Sequence, residues 1–191
     1  MRIAVFASGN GMNFEMLVKA SQEPTFPAEI VCVVCDRATA KVIDRARKLE
    51  IACYVVEPKH FATKSDYEKQ VLYYMQEQQI DWIVLAGYMR LIGPDLLRPY
   101  TNKIINLHPS LLPEFIGKDS IQRAFEARVA YSGITIHYID AGMDTGPVIF
   151  QKQVPLYEQD TLEQFETRIH QVEHQYYPKI IHSLLKGENI S

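Results

Sequence analysis

A chain of 191 residues that is 47% apolar and 23% charged has the length and composition of one soluble globular domain. Its net charge of −3 and pI near 6.1 give no reason to expect nucleic acid or a membrane surface as a partner. No apolar run reaches transmembrane length, and Met1–Phe6 is predicted to be a first strand and not a signal peptide. Three cysteines in apolar surroundings favour a reduced, cytoplasmic setting.

Short apolar runs alternate with amphipathic stretches through the first hundred residues. The runs are predicted to be buried parallel strands at Ile3–Ala7, Ile30–Cys35, Cys53–Val56, Trp82–Ala86 and Ile104–Leu107. Helices are predicted between them, near Asn13–Ala20, Ala40–Leu49, Ser65–Gln79 and Asp95–Tyr100. This βαβ rhythm predicts a Rossmann-like, doubly wound α/β sheet with flanking helices and right-handed crossovers.

Two cysteines, Cys32 and Cys35, have the spacing of a metal or redox motif but lie within a predicted buried strand. Positions three apart on a strand face opposite sides, so the two sulfurs should not meet. No other group of His, Cys, Asp and Glu has convincing ligand spacing, and the sequence therefore predicts no metal site.

The rhythm changes after residue 130. Gly133–Ile139 and Pro147–Val154 are predicted to be strands, joined by the short loop Asp140–Gly146. The loop is too short for a helical crossover, so these strands should be antiparallel. The sequence thus predicts a mostly parallel sheet with an antiparallel C-terminal edge.

The last helix is predicted to begin at a capping box, Thr161–Gln164. Its apolar stripe is predicted to comprise Leu162, Phe165, Ile169, Val172 and Tyr176. Pro178 is expected to interrupt or kink the helix. A shorter segment, Lys179–Lys186, should then end at Gly187.

A glycine-containing loop, Ala7–Asn13, lies between the first predicted strand and the first helix. Backbone N–H groups at a helix N-terminus can hold a phosphate, and glycines let the loop turn sharply against a ligand. Asn13 can cap the helix. A dinucleotide site is disfavoured because Phe14 replaces the third glycine of its fingerprint. The loop therefore predicts phosphate binding, with a plain tight turn as the alternative.

Asn106 and His108 end the strand that begins at Ile104, since Pro109 cannot extend central pairing. Side chains alternate along a strand, so the amide and the imidazole should emerge on one face. A hydrogen-bond donor beside a titratable base suits chemistry in which an oxyanion forms and a proton moves. The alternative is a structural histidine.

Asp144 lies in the glycine-flanked loop Gly142–Gly146. A carboxylate there could reach His108, fix its orientation and favour its protonated form. The alternative is that Asp144 only closes its own Asx turn.

Together these motifs resemble the phosphoribosylglycinamide formyltransferase family. They are the loop Ser8–Asn13, the segment Asn106–Pro113 with its Asn-x-His start, and the segment Asp140–Pro147; Leu85–Arg90 and Glu173–Pro178 also match. The Asn-x-His motif and the Asp mark the wider folate-dependent formyltransferase superfamily. The loop with Asn13 and the segment with Glu173 narrow the resemblance to the phosphoribosylglycinamide formyltransferase family within it. The similarity runs from Met1 to about residue 185. It implies one formyltransferase domain over residues 1–191, with a phosphate-binding half at about 1–100 and a folate and catalytic half at about 101–191.

The resemblance implies that the amine of 5'-phosphoribosylglycinamide attacks the formyl carbon of the co-substrate 10-formyltetrahydrofolate, in de novo purine (IMP) biosynthesis. Asn106 would donate to the oxyanion, His108 would relay protons, and Asp144 would support His108. The implied ribonucleotide-binding residues are Gly11, Met12, Asn13, His170 and Glu173. The implied folate-binding residues are Lys64, Met89, Arg90, Leu91, Ile92, Asn106, Asp140, Ala141, Gly142, Met143 and Asp144.

Some of these assignments have structural alternatives. Glu173 could form a salt bridge, Lys64 could be a solvated charge at a helix end, and Leu91 could be core packing. Met12 stands where many family members carry a hydroxyl, and Lys64 stands where many carry Arg. The loop Phe115–Ile121 also departs from the family pattern, and His137 could line the pocket or be structural.

Two other functions compete with this interpretation. Another folate formyltransferase or a 10-formyltetrahydrofolate hydrolase would share the Asn, His and Asp set but usually adds a domain, for which we expect no room here. A nucleotide-binding regulatory module would not need Asn106, His108 and Asp144 together. Only small-molecule substrates are expected as partners, while the oligomeric state stays open, a homodimer being one option. The sequence also leaves open the motion of the 110–130 loop.

Overall fold

The computed structural model of the chain describes residues 1–190. The strands are β1 (Arg2–Ala7), β2 (Glu29–Cys35), β3 (Ala52–Val55), β4 (Trp82–Leu85), β5 (Ile104–His108), β6 (Tyr131–Tyr138) and β7 (Val148–Pro155). The helices are α1 (Met12–Ser21), α2 (Val42–Lys48), α3 (Lys64–Glu77), α4 (Pro94–Leu97), α5 (Ser120–Glu126) and α6 (Leu162–Lys186), and a 3₁₀ turn lies at Pro58–His60. The chain divides into two compact units, Met1–Ile105 and the segment from Asn106 onward.

The first unit is built on parallel strands. β1 pairs in parallel with β2 on one side and with β4 on the other, and β2 pairs in parallel with β3. The whole run Ile3–Ala7 is fully buried. A strand that is buried on both faces reads as a continuous apolar run, which is why the sequence pattern identified these strands.

The second unit contains the predicted antiparallel pair. β6 and β7 pair from Tyr131 opposite Pro155 to Ile136 opposite Phe150, with a register shift between Ile136 and His137. Helix α6 packs against both strands and against α5. Nine residues, 139–147, join the two strands, too few for a helical crossover, and the observed pairing confirms the antiparallel prediction.

The strand order is β3-β2-β1-β4-β5-β6-β7. The predicted fold class, a doubly wound α/β sheet with an antiparallel C-terminal edge, is therefore confirmed. The order reverses direction between β1 and β4, and such a topological switch point is where open α/β sheets place their ligands. The glycine loop follows β1 directly, so it lies at that point of the first unit.

The interruption predicted at Pro178 is wrong, since α6 continues from Leu162 to Lys186 with Pro178 inside it. Pro178 removes one backbone donor, which costs about 3 kcal/mol in a helix interior. Buried neighbours on both sides, Tyr177 and Ile181, hold the helix against the core and offset that loss. The predicted capping box at Thr161 and the predicted end at Gly187, which has a φ of 68°, are both confirmed.

The buried line of α6 differs in part from the predicted stripe. Leu162, Val172 and Tyr176 are only half-buried. The buried residues are instead mostly spaced three or four apart: Phe165, Ile169, Glu173, Tyr177, Pro178, Ile180, Ile181 and Leu185. A short helix, α5, was not predicted, and the helix predicted near Asp95–Tyr100 is shorter, at Pro94–Leu97.

The three cysteines are free thiols. Burial raises the pKa of Cys32 to about 12 and that of Cys53 to about 11, so neither thiol is activated. Among residues 1–190, no helix is both long enough and apolar enough to cross a membrane.

Candidate active site

The centre of the candidate site is the end of β5. Asn106 is half-buried and His108 is 5% exposed, and Pro109 follows where the strand stops. The strand geometry that was expected from the sequence is therefore present, with an amide and an imidazole two residues apart.

A second histidine, His137 on β6, holds the Asn106 side chain. The His137 Nδ1 lies 2.9 Å from the carbonyl oxygen of Tyr138, and its Nε2 lies 3.1 Å from the Asn106 Nδ2. A carbonyl only accepts, so Nδ1 carries the proton and Nε2 presents a lone pair. The Asn106 amide group therefore donates one N–H to His137, and its second N–H is directed elsewhere.

His137 is suited to stay neutral in this position. It is fully buried, and burial lowers its pKa from the ordinary value of 6.5, although Asp144 acts in the opposite direction. A neutral His137 keeps the lone pair that the Asn106 amide needs, and so fixes which end of that amide points toward it.

Asp144 lies between the two histidines. Its Oδ2 is 3.4 Å from the His108 Nδ1, and its Oδ1 is 3.7 Å from the His137 Nε2. The side chain is 13% exposed. The expected approach of Asp144 to His108 is thus present, and the site comprises Asn106, His108, His137 and Asp144.

The loop after β5 covers two of these groups. The His108 Nε2 lies 3.0 Å from the Phe115 carbonyl oxygen, and the Gly117 N–H donates to the Asp144 Oδ2 at 2.9 Å. Phe115 has a φ of 53° and Gly117 a φ of 81°, both in the left-handed region. Both ring nitrogens of His108 therefore face oxygen atoms, the Phe115 carbonyl at Nε2 and the Asp144 carboxylate at Nδ1.

The alternative role considered for Asp144 was to close its own turn, but Asp140 closes the turn of this loop instead. The Asp140 Oδ1 accepts from the Gly142 N–H at 2.9 Å and from the Thr145 hydroxyl at 2.7 Å. The Thr145 hydrogen bond is the main reason why the pKa of Asp140 is lowered. A Cβ at Gly146 would overlap the Tyr138 carbonyl oxygen, so the loop returns to β6 only with glycine there.

The glycine loop leads into α1 in the first unit. Gly11 precedes the helix with a φ of 77°, and a Cβ there would lie 2.7 Å from the Val42 Cβ. In a helix that begins at Met12, the first N–H groups have no intrahelical acceptor and can hold an anion. The predicted cap at Asn13 is wrong, because Asn13 already lies inside the first turn and Gly11 takes the capping position without a side-chain bond.

The implied folate segment Met89–Ile92 follows β4 in the same unit. Met89 and Leu91 are about half exposed, while Ile92 is buried. The Arg90 guanidinium lies 5.5 Å from the centre of the Tyr67 ring, a cation–π distance. The exposure of Leu91, at 49%, disfavours the alternative that it is plain core packing.

Lys64 opens α3 and is less isolated than a solvated helix-end charge. Its Nζ lies 3.6 Å from the carboxylate of Glu68, which is 2% exposed and accepts from the Gly93 N–H at 2.6 Å. Sequence reasoning missed Glu68, whose position in an amphipathic helix gives no sign that its carboxylate is buried against a loop.

The implied ribonucleotide pair His170 and Glu173 lies on α6. The His170 Nδ1 is 2.8 Å from the Glu173 Oε2, and this hydrogen bond is the main reason why the pKa of His170 is raised. Glu173 is 3% exposed, whereas the His170 side chain is half exposed. A salt bridge is therefore present at Glu173, and its His170 partner is half exposed to solvent.

No group of three or more His, Cys, Asp or Glu side chains is arranged to hold a metal ion in the part of the chain from Met1 to Ile190.

Comparison with known proteins gives the family. A family model described as formyl transferase matches residues 1–181. A phosphoribosylglycinamide formyltransferase of Bacillus subtilis is 49% identical over 188 residues, which are 98% of this chain and 96% of that protein. The chain belongs to the phosphoribosylglycinamide formyltransferase family.

Solved structures of the phosphoribosylglycinamide formyltransferase family agree with the fold described above. The glycinamide ribonucleotide transformylase 1 of Geobacillus kaustophilus has 51% identity and a TM-score of 0.93, covering 96% of this chain and 98% of that chain. The phosphoribosylglycinamide formyltransferase of Bacillus halodurans has 46% identity and a TM-score of 0.95, covering 100% and 98%. The predicted resemblance is confirmed, and membership in a family of enzymes disfavours a regulatory module.

Proposed function

We propose that this chain transfers the formyl group of 10-formyltetrahydrofolate to the amine of 5'-phosphoribosylglycinamide. The observation that supports this most directly is the approach of Asp144 to His108, at 3.4 Å, beside the Asn106 amide. An oxyanion donor next to a base with its own carboxylate is the set of groups that acyl transfer to an amine requires.

The reaction runs through one tetrahedral intermediate. The lone pair of the substrate amine forms a bond to the formyl carbon, and the carbonyl electrons move onto oxygen. The attacking nitrogen then loses a proton and the N10 nitrogen of the folate gains one. When the C–N10 bond breaks, the carbonyl reforms, and the products are the formylated ribonucleotide and tetrahydrofolate.

Asn106 is the proposed donor to the oxyanion. One of its N–H groups is used on His137, at 3.1 Å, which leaves the other for the substrate oxygen and fixes its direction. A preorganised donor of this kind is typically worth about 10²–10³-fold in rate. The role that we assign to His137 is therefore to orient Asn106, without contact to the reacting atoms.

His108 is the proposed proton carrier. Its Nε2 proton is held by the Phe115 carbonyl, and the Asp144 carboxylate faces Nδ1. As the oxyanion forms, the Nε2–H donates to it, and proton transfer between the two nitrogens of the reaction passes through the same ring. General acid–base help of this type is typically worth about 10²–10⁴-fold.

Binding is assigned within each compact unit. In the first unit, the α1 N-terminus at Gly11–Asn13 binds the ribonucleotide phosphate, and Lys64 with Met89–Ile92 binds the folate. In the second unit, His170 and Glu173 bind ribose hydroxyls, and the Asp140–Asp144 loop together with Asn106 binds the pterin edge. Residues 1–191 act as one formyltransferase domain in cytoplasmic de novo purine biosynthesis, with small molecules as its only substrates and no metal.

A formyl-transfer assay tests the proposal. Purified protein is mixed with glycinamide ribonucleotide and 10-formyltetrahydrofolate, and the release of tetrahydrofolate is followed. We expect release that depends on the ribonucleotide, and we expect His108→Ala to lower kcat by about 10²–10⁴-fold while ligand binding persists.

His60→Ala is the matched control, since His60 is a mostly exposed histidine whose nearest carboxylate, Glu57, is 3.9 Å away. That variant should keep the wild-type rate. Equal release of tetrahydrofolate without the ribonucleotide would show a hydrolase, and no release by folded wild-type protein would overturn the assignment.

A further inference from the structure

We propose that Ser8 couples the two ligand segments of the first unit, so that each ligand strengthens the binding of the other. The segments are the phosphate loop, residues 9–13, and the folate segment, Met89–Ile92. Ser8 acts as a positioning residue that need not touch either ligand. The inference rests on the proposed function, because it takes from it which ligand each segment binds.

Ser8 extends the contact between β1 and β4 beyond the end of the sheet. Phe6 and Leu85 form the last pair of the parallel ladder, and the Ala86 N–H then donates to the Phe6 carbonyl at 2.8 Å. The Ser8 N–H donates to the Gly87 carbonyl at 3.1 Å. The Met89 N–H donates to the Ser8 Oγ at 2.9 Å, so a side chain provides the last connection.

This connection lies at the topological switch point of the sheet, where β1 and β4 separate toward different helices. Ser8 is 2% exposed, so water does not compete freely for its hydroxyl. The hydroxyl is therefore a shielded bond between two loops, and not one of many solvated contacts on a surface.

The phosphate loop is anchored on its other side by α2. The Val42 N–H donates to the Gly9 carbonyl at 3.1 Å, and the Arg45 guanidinium donates to the Asn10 carbonyl at 2.7 Å and to its side-chain oxygen at 2.9 Å. Arg45 also pairs with Glu15 of α1. Because α2 holds this side of the phosphate loop in place, a bound phosphate that restrains the loop also restrains Ser8 at its other end.

The folate segment is anchored at its far end. The Gly93 N–H donates to the buried Glu68 carboxylate at 2.6 Å. Met89 has its side chain 53% exposed while its N–H is fixed from inside by Ser8. The folate segment is thus held at two points, by Ser8 and by Glu68. Of these two residues, Ser8 is the one that also adjoins the phosphate loop.

The physical basis of the coupling is shared ordering. A first ligand that restrains one loop restrains the other through the Ser8 hydroxyl, so the second ligand loses less conformational freedom when it binds. Couplings of this kind are typically about 5- to 150-fold in affinity, and they are equal in both directions.

The test compares wild type, Ser8→Ala and Ser132→Ala. Ser132 is the matched control because its hydroxyl is equally buried, at 1% exposure, and has no hydrogen-bond partner among the described residues. Titration calorimetry gives the Kd of glycinamide ribonucleotide alone and with saturating tetrahydrofolate, a pair that cannot react. The ratio of the two values is the coupling factor.

We expect a coupling factor of at least about fivefold in wild type and Ser132→Ala. In Ser8→Ala it should fall toward one, while each single Kd changes less than the ratio does. A role of Ser8 in folding alone would shift the single Kd values and leave the ratio in place. A wild-type factor of one, or a wild-type factor kept by Ser8→Ala, overturns the proposal.

Hydrogen exchange on wild-type protein provides a second test, which does not depend on the folding of a variant. The ribonucleotide alone should slow exchange of the Met89 amide several-fold, although that amide is bound to Ser8 and not to the ligand. Unchanged exchange, with the ribonucleotide bound, contradicts the coupling. Wild-type protein that bound neither ligand and transferred no formyl group would contradict the proposed function itself. Formyl transfer without coupling between the ligands would contradict only the role of Ser8.

Discussion

Asp144 directs its two carboxylate oxygens toward two different histidines. Oδ2 lies 3.4 Å from the His108 Nδ1 and also accepts from the Gly117 N–H, while Oδ1 lies 3.7 Å from the His137 Nε2. One negative charge therefore acts on the proposed proton carrier and on the residue that orients the oxyanion donor. Because His137 is fully buried, desolvation outweighs the attraction of Asp144 and lowers the pKa of His137 below its ordinary value.

Asp144→Asn tests the charge while it keeps the shape of the side chain. With both substrates saturating, kcat should fall, by up to the 10²–10⁴-fold typical of general acid–base catalysis, because His108 loses its ionic partner. Steady-state kinetics at pH 7.5 measure the effect.

Asp140→Asn is the matched control, since it makes the same change in the same loop without contact to His108. Asp140 holds the turn through Gly142 and Thr145, so its variant should raise KM for the folate more than it lowers kcat. Equal losses of kcat in the two variants would contradict a specific role for Asp144.

The buried His137 should make the protein less stable in acid. Its folded-state pKa lies below 6.5, so below pH 6.5 the unfolded chain binds a proton that the folded chain does not. The free energy of unfolding should therefore decrease as the pH falls from 6.5. Between pH 6.5 and 5.5, urea unfolding should show a weaker decrease in His137→Gln, by up to about 1.4 kcal/mol per pH unit.

The pKa of His170 is shifted in the opposite direction to that of His137, so its effect on stability has the opposite pH dependence. Its folded-state pKa is raised by the hydrogen bond to Glu173, so its stabilisation is fully present below pH 6.5 and is lost as the pH rises through the folded-state value. His170→Gln should therefore lower the free energy of unfolding at pH 6 and leave it unchanged at pH 9. The same pH dependence in both variants would refute the two assignments.

In helix α6, a local capping motif determines where the helix begins, and tertiary packing determines that it continues past Pro178. Its start is set locally: the Gln164 N–H donates to the Thr161 hydroxyl at 3.2 Å, and the Thr161 N–H donates to the Gln164 side chain at 2.9 Å. Its middle is set by burial, since the helix continues through Pro178 because the residues around it are packed against the core.

Thr161→Ala should lower the free energy of unfolding by about 1 kcal/mol, because the helix loses its N-terminal cap. Chemical denaturation at pH 7 measures this value. Thr101→Ala serves as the control: its hydroxyl bonds only to the Leu97 and Arg98 carbonyls on an exposed surface, and its loss should cost less. A larger loss at Thr101 than at Thr161 would show that the cap is not the source of the stability.

The strands and caps were predictable because their causes are local in sequence. Continuous apolar runs mark strands buried on both faces, and the spacing of Thr161 and Gln164 marks a capping box. Pro178 was misjudged because the packing that holds α6 together is tertiary. The cap at Asn13 was misjudged because Gly11, with its positive φ, takes the capping position two residues earlier than expected.

In the candidate site, too, the features with local causes were predictable from the sequence and the tertiary ones were not. Asn106 and His108 could be paired from strand alternation alone, and the family resemblance implied Asp144. The hydrogen bond between Asn106 and His137 joins residues 31 apart in sequence, and His137 follows a register shift in β6 that no sequence pattern predicts. The left-handed backbone at Phe115 was equally hidden, since a bulky residue is rarely found there.

At the scale of the whole molecule, the proposed chemistry uses only side chains and backbone. Within residues 1–190, no group of three or more His, Cys, Asp or Glu side chains is arranged to hold a metal ion. We therefore expect that dialysis against EDTA leaves the formyl-transfer rate within about twofold of its starting value. A loss of activity that is restored by adding a divalent cation would refute this expectation.

The Phe115 carbonyl has a consequence for how the protein meets its substrates. It accepts from the His108 Nε2 at 3.0 Å, the position in which a substrate oxygen would have to accept. In the proposed mechanism the Phe115 carbonyl competes with the substrate oxygen for the His108 Nε2–H, and a substrate binds productively only in the molecules in which this carbonyl is displaced. In that mechanism the apparent Kd is the intrinsic Kd divided by the fraction of molecules with a displaced carbonyl, so the Phe115 backbone contributes to the affinity.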